Sequence, residues 1–252
     1  MYLRCPKCGH LPLPADQSLP AACPACGVIL AKVVAAGTAT PARPGPTLQV
    51  EGEREPWHHV LLHVPERVDP LRWWLRVALL AGFALWGLWL MVLDVRSGEI
   101  MSAFIHLPLL VFHEAGHVIF MPLGHTLMVL GGTLGQCLMP LIMATALLLK
   151  NRDPFGAALG LWLLGVSLMD TAPYMFDALQ PQLTLLSGQT GEEGGHDWIE
   201  LFGTWGLLPR AQAIGLATHK LGAIAMLAAL AWAGWVLKLQ HTRLDARALH
   251  EE

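Results

Sequence analysis

Charged side chains are scarce in this chain. Asp, Glu, Lys and Arg make up only 14% of its 252 residues, whereas hydrophobic residues make up 54%. Soluble domains carry about 25% charged residues, so this deficit argues against an ordinary soluble domain. Tyrosine is also rare, with 2 residues against 10 tryptophans, and indole rings favour the membrane–water interface. The composition therefore predicts a membrane protein.

Other features are missing as well. The formal net charge is −3, without the basic excess that accompanies nucleic-acid binding, so we expect no nucleic-acid partner. The N-terminal MYLRCPKCGH has no apolar core segment, so we expect no cleavable signal peptide. The sequence also shows no internal repeats.

Four cysteines near the N-terminus form a regular pattern. CPKC and CPAC, each followed by glycine, place Cys5, Cys8, Cys23 and Cys26 in two short turns. Two such turns present four thiolates to one tetrahedral ion. A segment of this size has almost no apolar core, so a metal would supply its folding energy. We predict a structural zinc ribbon over residues 1–34, with a pair of disulfides as the alternative.

This segment resembles the small zinc ribbons found at the ends of many bacterial proteins. Thiolates kept for zinc indicate a reducing compartment, which predicts a cytoplasmic N-terminus. Cys137, by contrast, stands alone in an apolar run. We interpret it as a small buried residue.

The next segments differ from both the ribbon and the apolar region. Residues 35–56 are rich in Pro, Gly, Ala and Thr, which predicts a flexible linker. Residues 57–70 contain Trp57, His58, His59 and His63 just before the first apolar run. That position favours an interfacial segment over a metal site. Residues 71–240 are predicted to form a membrane domain, and residues 241–252 a polar tail.

Apolar runs fill the predicted membrane domain. They lie at 71–93, 100–123, 127–149, 155–175 and 207–237. The first is long enough to cross a hydrocarbon core of about 30 Å as a helix. The predicted fold class is therefore mainly α, a polytopic helical membrane domain of four to five apolar segments behind a small zinc ribbon.

Basic residues suggest how the runs are oriented. They cluster before the first run, after the third and after the last, whereas the loop at about 177–208 has no Lys or Arg. Basic loops face the cytoplasm, and all three clusters do so only if the 100–123 run enters and returns on one side. Pro108 and Pro122 favour such an interrupted segment. We favour four spans plus a re-entrant segment, with five full spans as the alternative.

The second run contains the motif HEAGH, from His113 to His117. Residues i and i+4 lie on one face of a helix, so both imidazoles can reach one zinc ion. Glu114 can then hold and deprotonate the metal-bound water. An ionisable group at bilayer depth costs at least ~2.5–3.5 kcal/mol, which favours a bound metal over the alternative, a helix–helix hydrogen-bonding cluster.

With this motif in a membrane segment, the chain resembles the site-2 protease family of intramembrane zinc metalloproteases. The resemblance covers His113, Glu114, Gly116 and His117, and the glycine-bearing run GHTLMVLGGTLGQCLMPL that follows. It implies a helical membrane fold, a catalytic zinc and peptide-bond hydrolysis. In that family the third ligand is an aspartate in an Asn-Pro-Asp-Gly-like sequence on a later helix, and this chain has no such sequence.

The third ligand must therefore come from elsewhere. Asp170 and Asp177 share a helix face with Tyr174, and Pro173 would kink that helix near the depth of HEAGH. The following loop offers His196 and Asp197 after two glycines, as a ligand or as a ligand with its supporting partner. The candidates, in order of preference, are Asp177, His196, Asp197, Asp170 and His125. Helix capping is the alternative role for each aspartate.

The sequence thus favours a multi-pass zinc metallopeptidase of the bacterial inner membrane, with one catalytic and one structural Zn²⁺. Its substrates would be membrane or membrane-associated proteins, and the ribbon would recruit a protein substrate or regulator. Two other functions stay open, a catalytically inactive zinc-binding membrane adaptor and a metal-handling membrane protein. The ionisable groups gather on one membrane face rather than marking a path across it, which argues against transport.

Overall fold

The computed structural model describes residues 2–18, 21–30 and 56–248. The chain divides into two compact units, Met1–Arg54 and Glu55–Glu252, here called the N-terminal unit and the helical unit. The predicted linker lies outside the described residues except for Pro56. The same holds for residues 31–34 of the predicted ribbon and for the last four residues of the predicted tail.

Two turns of the same geometry build the N-terminal unit. The N–H of Gly9 donates to the carbonyl of Cys5, and that of Gly27 to the carbonyl of Cys23, both at 2.8 Å. These glycines have φ of 72° and 70°, a left-handed conformation that glycine adopts without steric cost. Leu30 is buried with Cys5 and Cys23. The glycine after each cysteine pair therefore closes its turn.

The described residues of the helical unit form seven α-helices. These are α1 (Trp57–Leu61), α2 (Pro70–Val92), α3 (His106–Phe120), α4 (His125–Leu149), α5 (Pro154–Asp177), α6 (Asp197–Thr204) and α7 (Ala211–Ala248). No β-strand occurs in the described ranges, only an isolated bridge between Ala22 and Ile29. The predicted mainly α fold class is confirmed.

Four of these helices are long and apolar enough to cross a membrane: α2, α4, α5 and the stretch Leu208–Leu244 that contains most of α7. The 100–123 run behaves differently. It is divided between 3₁₀ turns at Glu99–Ser102 and Met121–Leu123 and the 15-residue helix α3. Fifteen residues rise about 22 Å, less than the ~30 Å hydrocarbon core. These properties are consistent with a multi-pass membrane protein.

Contacts between helix ends show how the long helices run. The Arg76 guanidinium, near the start of α2, lies 3.1 Å from the carboxylate of Asp153, just before α5. The Trp73 indole N–H donates to the carbonyl of Leu237 in α7 at 3.0 Å. The start of α2, the start of α5 and the C-terminal part of α7 therefore share one end of the bundle, the end with the three basic clusters. The loop at 178–196 follows α5 at the opposite end.

Helix α3 is antiparallel to α4. A Cβ atom on Gly135 would overlap the carbonyl oxygen of Phe112, whereas one on Gly131 would lie 2.8 Å from the Cβ of Phe120. Partner numbers therefore fall along α4 as they rise along α3. Helix α2 ends, and helix α4 begins, at the same end of the bundle. Helix α3 lies between them in the sequence, so the chain leaves that end after α2 and is back there when α4 starts. The chain between α2 and α3 therefore turns back into the bundle before α3 returns to that end, a path that agrees with the expected re-entrant segment.

Helix α5 is the centre of the bundle. In its most apolar window 67% of the residues are buried, against 11% for α2. Its Gly165 packs against Gly222 of α7 so closely that a Cβ on Gly165 would lie 2.7 Å from the Gly222 carbonyl oxygen. Small residues at a crossing let helix backbones approach and pack. The end of α5 therefore provides a rigid support for polar side chains.

Cysteine labelling would test this arrangement. Ser97 and Ser187 are both exposed, beyond the ends of α2 and α5, whereas the exposed Asn151 lies between α4 and α5. We expect a membrane-impermeant maleimide added outside intact cells to label Ser97→Cys and Ser187→Cys above the level of the parent chain. The matched control, Asn151→Cys, should react only after lysis. Labelling of Ser97→Cys but not Ser187→Cys would indicate five full spans instead.

Candidate metal sites

The four cysteines of the N-terminal unit face one point. Their Sγ atoms lie within 4.8 Å of one another; Cys5 and Cys26 are 3.7 Å apart, and Cys8 and Cys23 are 3.8 Å apart. Tetrahedral zinc with Zn–S bonds of about 2.3 Å requires S···S separations of about 3.8 Å. All four cysteines are free rather than disulfide-bonded. The group can therefore hold a metal ion, and its geometry fits zinc.

Hydrogen bonds also favour the thiolate form of Cys5. Burial disfavours ionisation, but N–H groups of Cys8 and Lys7 and the neighbouring thiols outweigh this effect and lower the pKa of Cys5 to about 6. Thiolates are the form that binds metal. The neighbouring thiols and burial raise the pKa of Cys8 in turn, so the cluster favours one thiolate by itself and metal binding must supply the rest of the deprotonation.

A peptide of residues 1–34 should fold only with metal, because the described part of this unit buries little apart from Leu30 and its cysteines. We expect a disordered circular-dichroism spectrum without metal and a folded one after one equivalent of zinc. Cobalt(II) should give thiolate charge-transfer bands, and Cys8→Ser should weaken them. A peptide whose spectra do not respond to either metal would contradict the ribbon assignment.

The second group lies in the helical unit. One turn of α3 brings His113 and His117 to the same face, and Asp197, the first residue of α6, meets them there. Asp197 Oδ2 lies 2.9 Å from His113 Nε2 and 3.3 Å from His117 Nε2. Ligands that share a tetrahedral zinc ion at 2.0–2.1 Å are about 3.3 Å apart. The three side chains are therefore arranged closely enough to bind one ion.

The other ring nitrogen of each histidine already has a partner. His117 Nδ1 lies 2.8 Å from the carbonyl oxygen of Met128, and His113 Nδ1 lies 3.3 Å from the amide oxygen of Gln136. Both partners are acceptors, so each Nδ1 carries the proton and donates it. That leaves each Nε2 to contact Asp197, and in the neutral imidazole Nε2 is then the unprotonated nitrogen, the tautomer that metal binding through Nε2 requires.

A buried network fixes the orientation of Gln136. Its Nε2 donates to Asp170 Oδ2 at 2.7 Å, and the other oxygen of that carboxylate lies 2.8 Å from His106 Nδ1. Since the Gln136 amide nitrogen is held by Asp170, its oxygen faces His113. Asp170 is only 4% exposed and Gln136 3%. These polar groups thus satisfy one another inside an apolar bundle, as buried polar groups must.

Gly132 of α4 leaves room beside the two histidines. A Cβ atom there would overlap His113 Nε2 and lie 2.6 Å from His117 Nε2. Gly116 and Gly131 allow the same close approach one turn away, because a Cβ on Gly116 would overlap the Gly131 carbonyl oxygen. Helix α4 therefore packs directly against the histidine-bearing side of α3, and glycine keeps the space between the imidazoles open.

The group opens into a cavity of about 490 Å³. Both histidines, Asp197 and Glu114 line it, and the loop residues Thr184–Ser187 form part of its rim. Glu114 is exposed, and no hydrogen bond holds it to another described residue. A carboxylate beside the candidate ligands is therefore accessible to water in the cavity.

Asp197 is held by its neighbours in the chain and by α5. Its backbone N–H donates to the hydroxyl of Tyr174 at 3.0 Å. The preceding residue, His196, caps α6 by accepting the N–H of Ile199 at its Nδ1, 3.3 Å away. The His196 ring also packs against the Tyr174 ring, with centroids 4.1 Å apart. The aspartate carboxylate is thus directed from an anchored helix start rather than from a free loop.

The structure revises the first choice for the third ligand. Asp177 is not part of the histidine group: its Oδ1 accepts the N–H groups of Gln182 and Leu183, and its Oδ2 lies 3.4 Å from His196 Nε2. Its position at the C-terminal end of α5 explains this, since a carboxylate there caps the chain that leaves the helix. Asp177 and His196 instead tie the loop to α5.

The remaining candidates also lie apart from the group. Asp170 pairs with His106 and Gln136, and the exposed His125 pairs with Glu200 at 2.6 Å. The histidines of the predicted interfacial segment belong to or follow α1, and within the described residues they join no metal-ligating cluster. Cys137 is half-buried in α4.

Sequence reasoning missed Gln136 and Gly132 as parts of the site. A polar Gln136 inside an apolar run was a usable signal, because buried amides need partners. Gly132 carried no such signal, since glycine is common in membrane helices. Comparisons with protein-family models, with curated proteins and with solved structures return no match for this chain, so any functional conclusion rests on the geometry of these two groups.

Proposed function

We propose that this chain is a membrane-embedded zinc metallopeptidase that hydrolyses peptide bonds of membrane or membrane-associated proteins. One observation carries the proposal: His113, His117 and Asp197 converge beside a cavity that also contains Glu114. Two histidines, one carboxylate and a free neighbouring glutamate are the side chains that zinc-dependent hydrolysis uses.

The ligand set fits a catalytic rather than a closed structural site. Catalytic zinc has three protein ligands and one open position, and the cavity provides space on the open side. When bound there, zinc would supply Lewis acidity and a water molecule of lowered pKa. Glu114, which lines the same cavity, would take the proton of the attacking water and pass it to the leaving amine.

The protein environment prepares the ligands for this role. Met128 and Gln136 hold both imidazoles in the metal-binding tautomer, and Asp170 supports Gln136. Such supporting partners typically change metal affinity or activity 10–100-fold when they are removed.

The proposal includes a relationship to a protease family and a location in the cell. HEAGH on a short re-entrant helix supports a divergent relative of the site-2 proteases, with an aspartate from α6 in place of one from an Asn-Pro-Asp-Gly-like sequence. The basic end of the bundle would face the cytoplasm of a bacterial cell. The N-terminal unit would bind structural zinc and recruit a protein substrate or regulator, because such ribbons mediate contacts rather than chemistry.

Glu114→Gln tests the proposed activity. We expect purified wild-type protein, mixed with detergent-solubilised inner-membrane proteins, to generate new N-termini detectable by terminal-amine mass spectrometry. The Glu114→Gln variant should keep its zinc and generate none, because the amide cannot accept the water proton. Glu192→Gln, the same change at an exposed glutamate of the 178–196 loop that does not line the cavity, is the control and should remain active. A zinc-loaded wild-type protein without any cleavage would instead favour the inactive adaptor.

A further inference from the structure

We propose that Tyr174 donates the hydrogen bond that stabilises the oxyanion formed during peptide hydrolysis. This inference rests on the proposed peptidase function and assigns a further catalytic residue to the same site. Tyr174 lies on α5, one turn before its end, and its side chain lines the cavity together with His113, His117 and Glu114.

The Tyr174 hydroxyl accepts one hydrogen bond, and its own proton is free to be donated. Its oxygen accepts the backbone N–H of Asp197 at 3.0 Å. A tyrosine hydroxyl can also donate its own proton, and no acceptor for that proton lies within hydrogen-bonding distance among the described residues. The O–H is therefore available to a group that enters the cavity.

The position of the hydroxyl follows from the geometry of Asp197. This residue offers its N–H to Tyr174 and its carboxylate to both histidines. Asp197 therefore contacts the tyrosine hydroxyl through its backbone and both histidines through its side chain. The hydroxyl and the candidate metal position lie on either side of this one residue. The ring cannot easily turn away, because it packs against His196 and lies with its centroid 6.1 Å from that of His113.

Other donors in the cavity wall are already engaged. The Thr171 hydroxyl donates to the Ser167 carbonyl at 2.9 Å, and the Gln136 amide donates to Asp170. Neither Lys nor Arg lines the described cavity. The polar side chains of Thr184, Ser187 and Gln189 belong to the exposed rim. Tyr174 is thus the neutral donor that the inner wall keeps free.

Hydrolysis of the peptide bond would proceed through a tetrahedral intermediate. The water oxygen forms a bond to the carbonyl carbon, the π electrons of the carbonyl move to its oxygen, and the water proton moves to Glu114. Tyr174 donates a hydrogen bond to that oxygen and keeps its proton. As the carbonyl re-forms, the C–N bond breaks and the leaving nitrogen takes the proton from Glu114. Charge that develops on an oxygen is stabilised most by donors already oriented toward it.

Tyr174→Phe removes the hydroxyl and keeps the ring packing. With a synthetic peptide spanning a cleavage site found for the wild type, we expect kcat to fall about 10²–10³-fold, as for the loss of other oxyanion donors. KM and the zinc content of the helical unit should stay near wild type. Tyr2→Phe, which changes the chain's one other tyrosine, is the matched control and should leave kcat unchanged.

A binding measurement on the zinc-loaded full chain provides a second readout that needs no turnover. A phosphinic dipeptide carries oxygens where the oxyanion would lie, and its Kd should rise about 10²-fold or more in Tyr174→Phe, whereas Glu114→Gln should still bind it. Loss of zinc together with activity in Tyr174→Phe would overturn the inference and leave the hydroxyl only as an anchor for Asp197. Unchanged kcat and Kd would also overturn it, without affecting the peptidase proposal, which fails only if Glu114→Gln and wild type cleave equally or neither cleaves.

Discussion

Changing Asp197 to alanine is expected to remove the metal from the helical unit. In a full chain whose four ribbon cysteines are replaced by serine, zinc content should fall from about one per chain to near zero, as it should for His117→Ala, because two imidazoles alone leave a catalytic zinc under-coordinated. The carboxylate lies 2.9 and 3.3 Å from the two Nε2 atoms, and no other described carboxylate belongs to this group. Zinc stoichiometry after gel filtration, by inductively coupled plasma mass spectrometry, measures the change.

Asp177→Ala is the control for this experiment. Asp177 is more buried, with 7% side-chain exposure against 14% for Asp197. It is also an acidic residue at the end of a helix, but its oxygens face the loop backbone and His196. This variant should keep its zinc while losing thermal stability. If Asp177→Ala lost the metal and Asp197→Ala retained it, the assignment of the third ligand would have to be exchanged.

The second large effect is expected from a residue that donates no ligand atom. Gly132→Ala should lower zinc content as far as the loss of a histidine does, because its Cβ would overlap His113 Nε2 and lie 2.6 Å from His117 Nε2. That methyl group would occupy the space between the two imidazoles, where an ion would have to lie. The obstacle cannot rotate away, since Cβ is fixed to the helix backbone.

Gly82→Ala provides the comparison for the glycine effect. Gly82 lies within α2, and a Cβ there would meet nothing within 4 Å. Alanine is a better helix former than glycine, so this variant should keep its zinc and its fold. Zinc content and the helical circular-dichroism signal of both variants are measured together. A Gly132→Ala protein that is folded and fully metallated would contradict the proposed position of the ion.

The network behind the ligands explains why so many polar groups occur inside an apolar bundle. A buried unpaired polar group costs several kcal/mol in hydrocarbon, but here each partner satisfies the next: His106, Asp170, Gln136 and His113 are linked by contacts of 2.8, 2.7 and 3.3 Å. The cost of burial is thereby reduced, and the same bonds orient the histidine. Stability and the preparation of the site come from the same contacts.

Local patterns were sufficient for much of the candidate site. CPKCG and CPACG predict two equivalent turns, because the chemistry of four thiolates and the left-handed conformation of Gly9 and Gly27 act within a few residues. HEAGH predicts two imidazoles on one face, because a helix fixes the i and i+4 relation wherever it forms. The apolar runs likewise predict the long helices from length and composition alone.

The third residue of the group could not be chosen in this way. Asp177 and Asp197 are both preceded by apolar or glycine-rich sequence and both lie at helix ends, so local chemistry favours neither. The choice depends on how the chain turns after α5, where Gln182 and Leu183 engage Asp177 and the hydroxyl of Tyr174 engages the start of α6. These contacts join residues that are 5 to 23 positions apart in the sequence. No regular spacing of residue types predicts them.

The sequence by itself determined the long apolar helices, the four-cysteine turns and the pair of histidines with their glutamate, because each depends on composition or on residues at most a few positions apart. Only the tertiary structure decided that the HEAGH segment is a short helix antiparallel to α4, that Asp197 rather than Asp177 meets it, and that Gln136 and Gly132 complete its surroundings. These features arise where α3, α4, α5 and α6 pack together, and the packing of distant segments depends on the shapes of all of them at once.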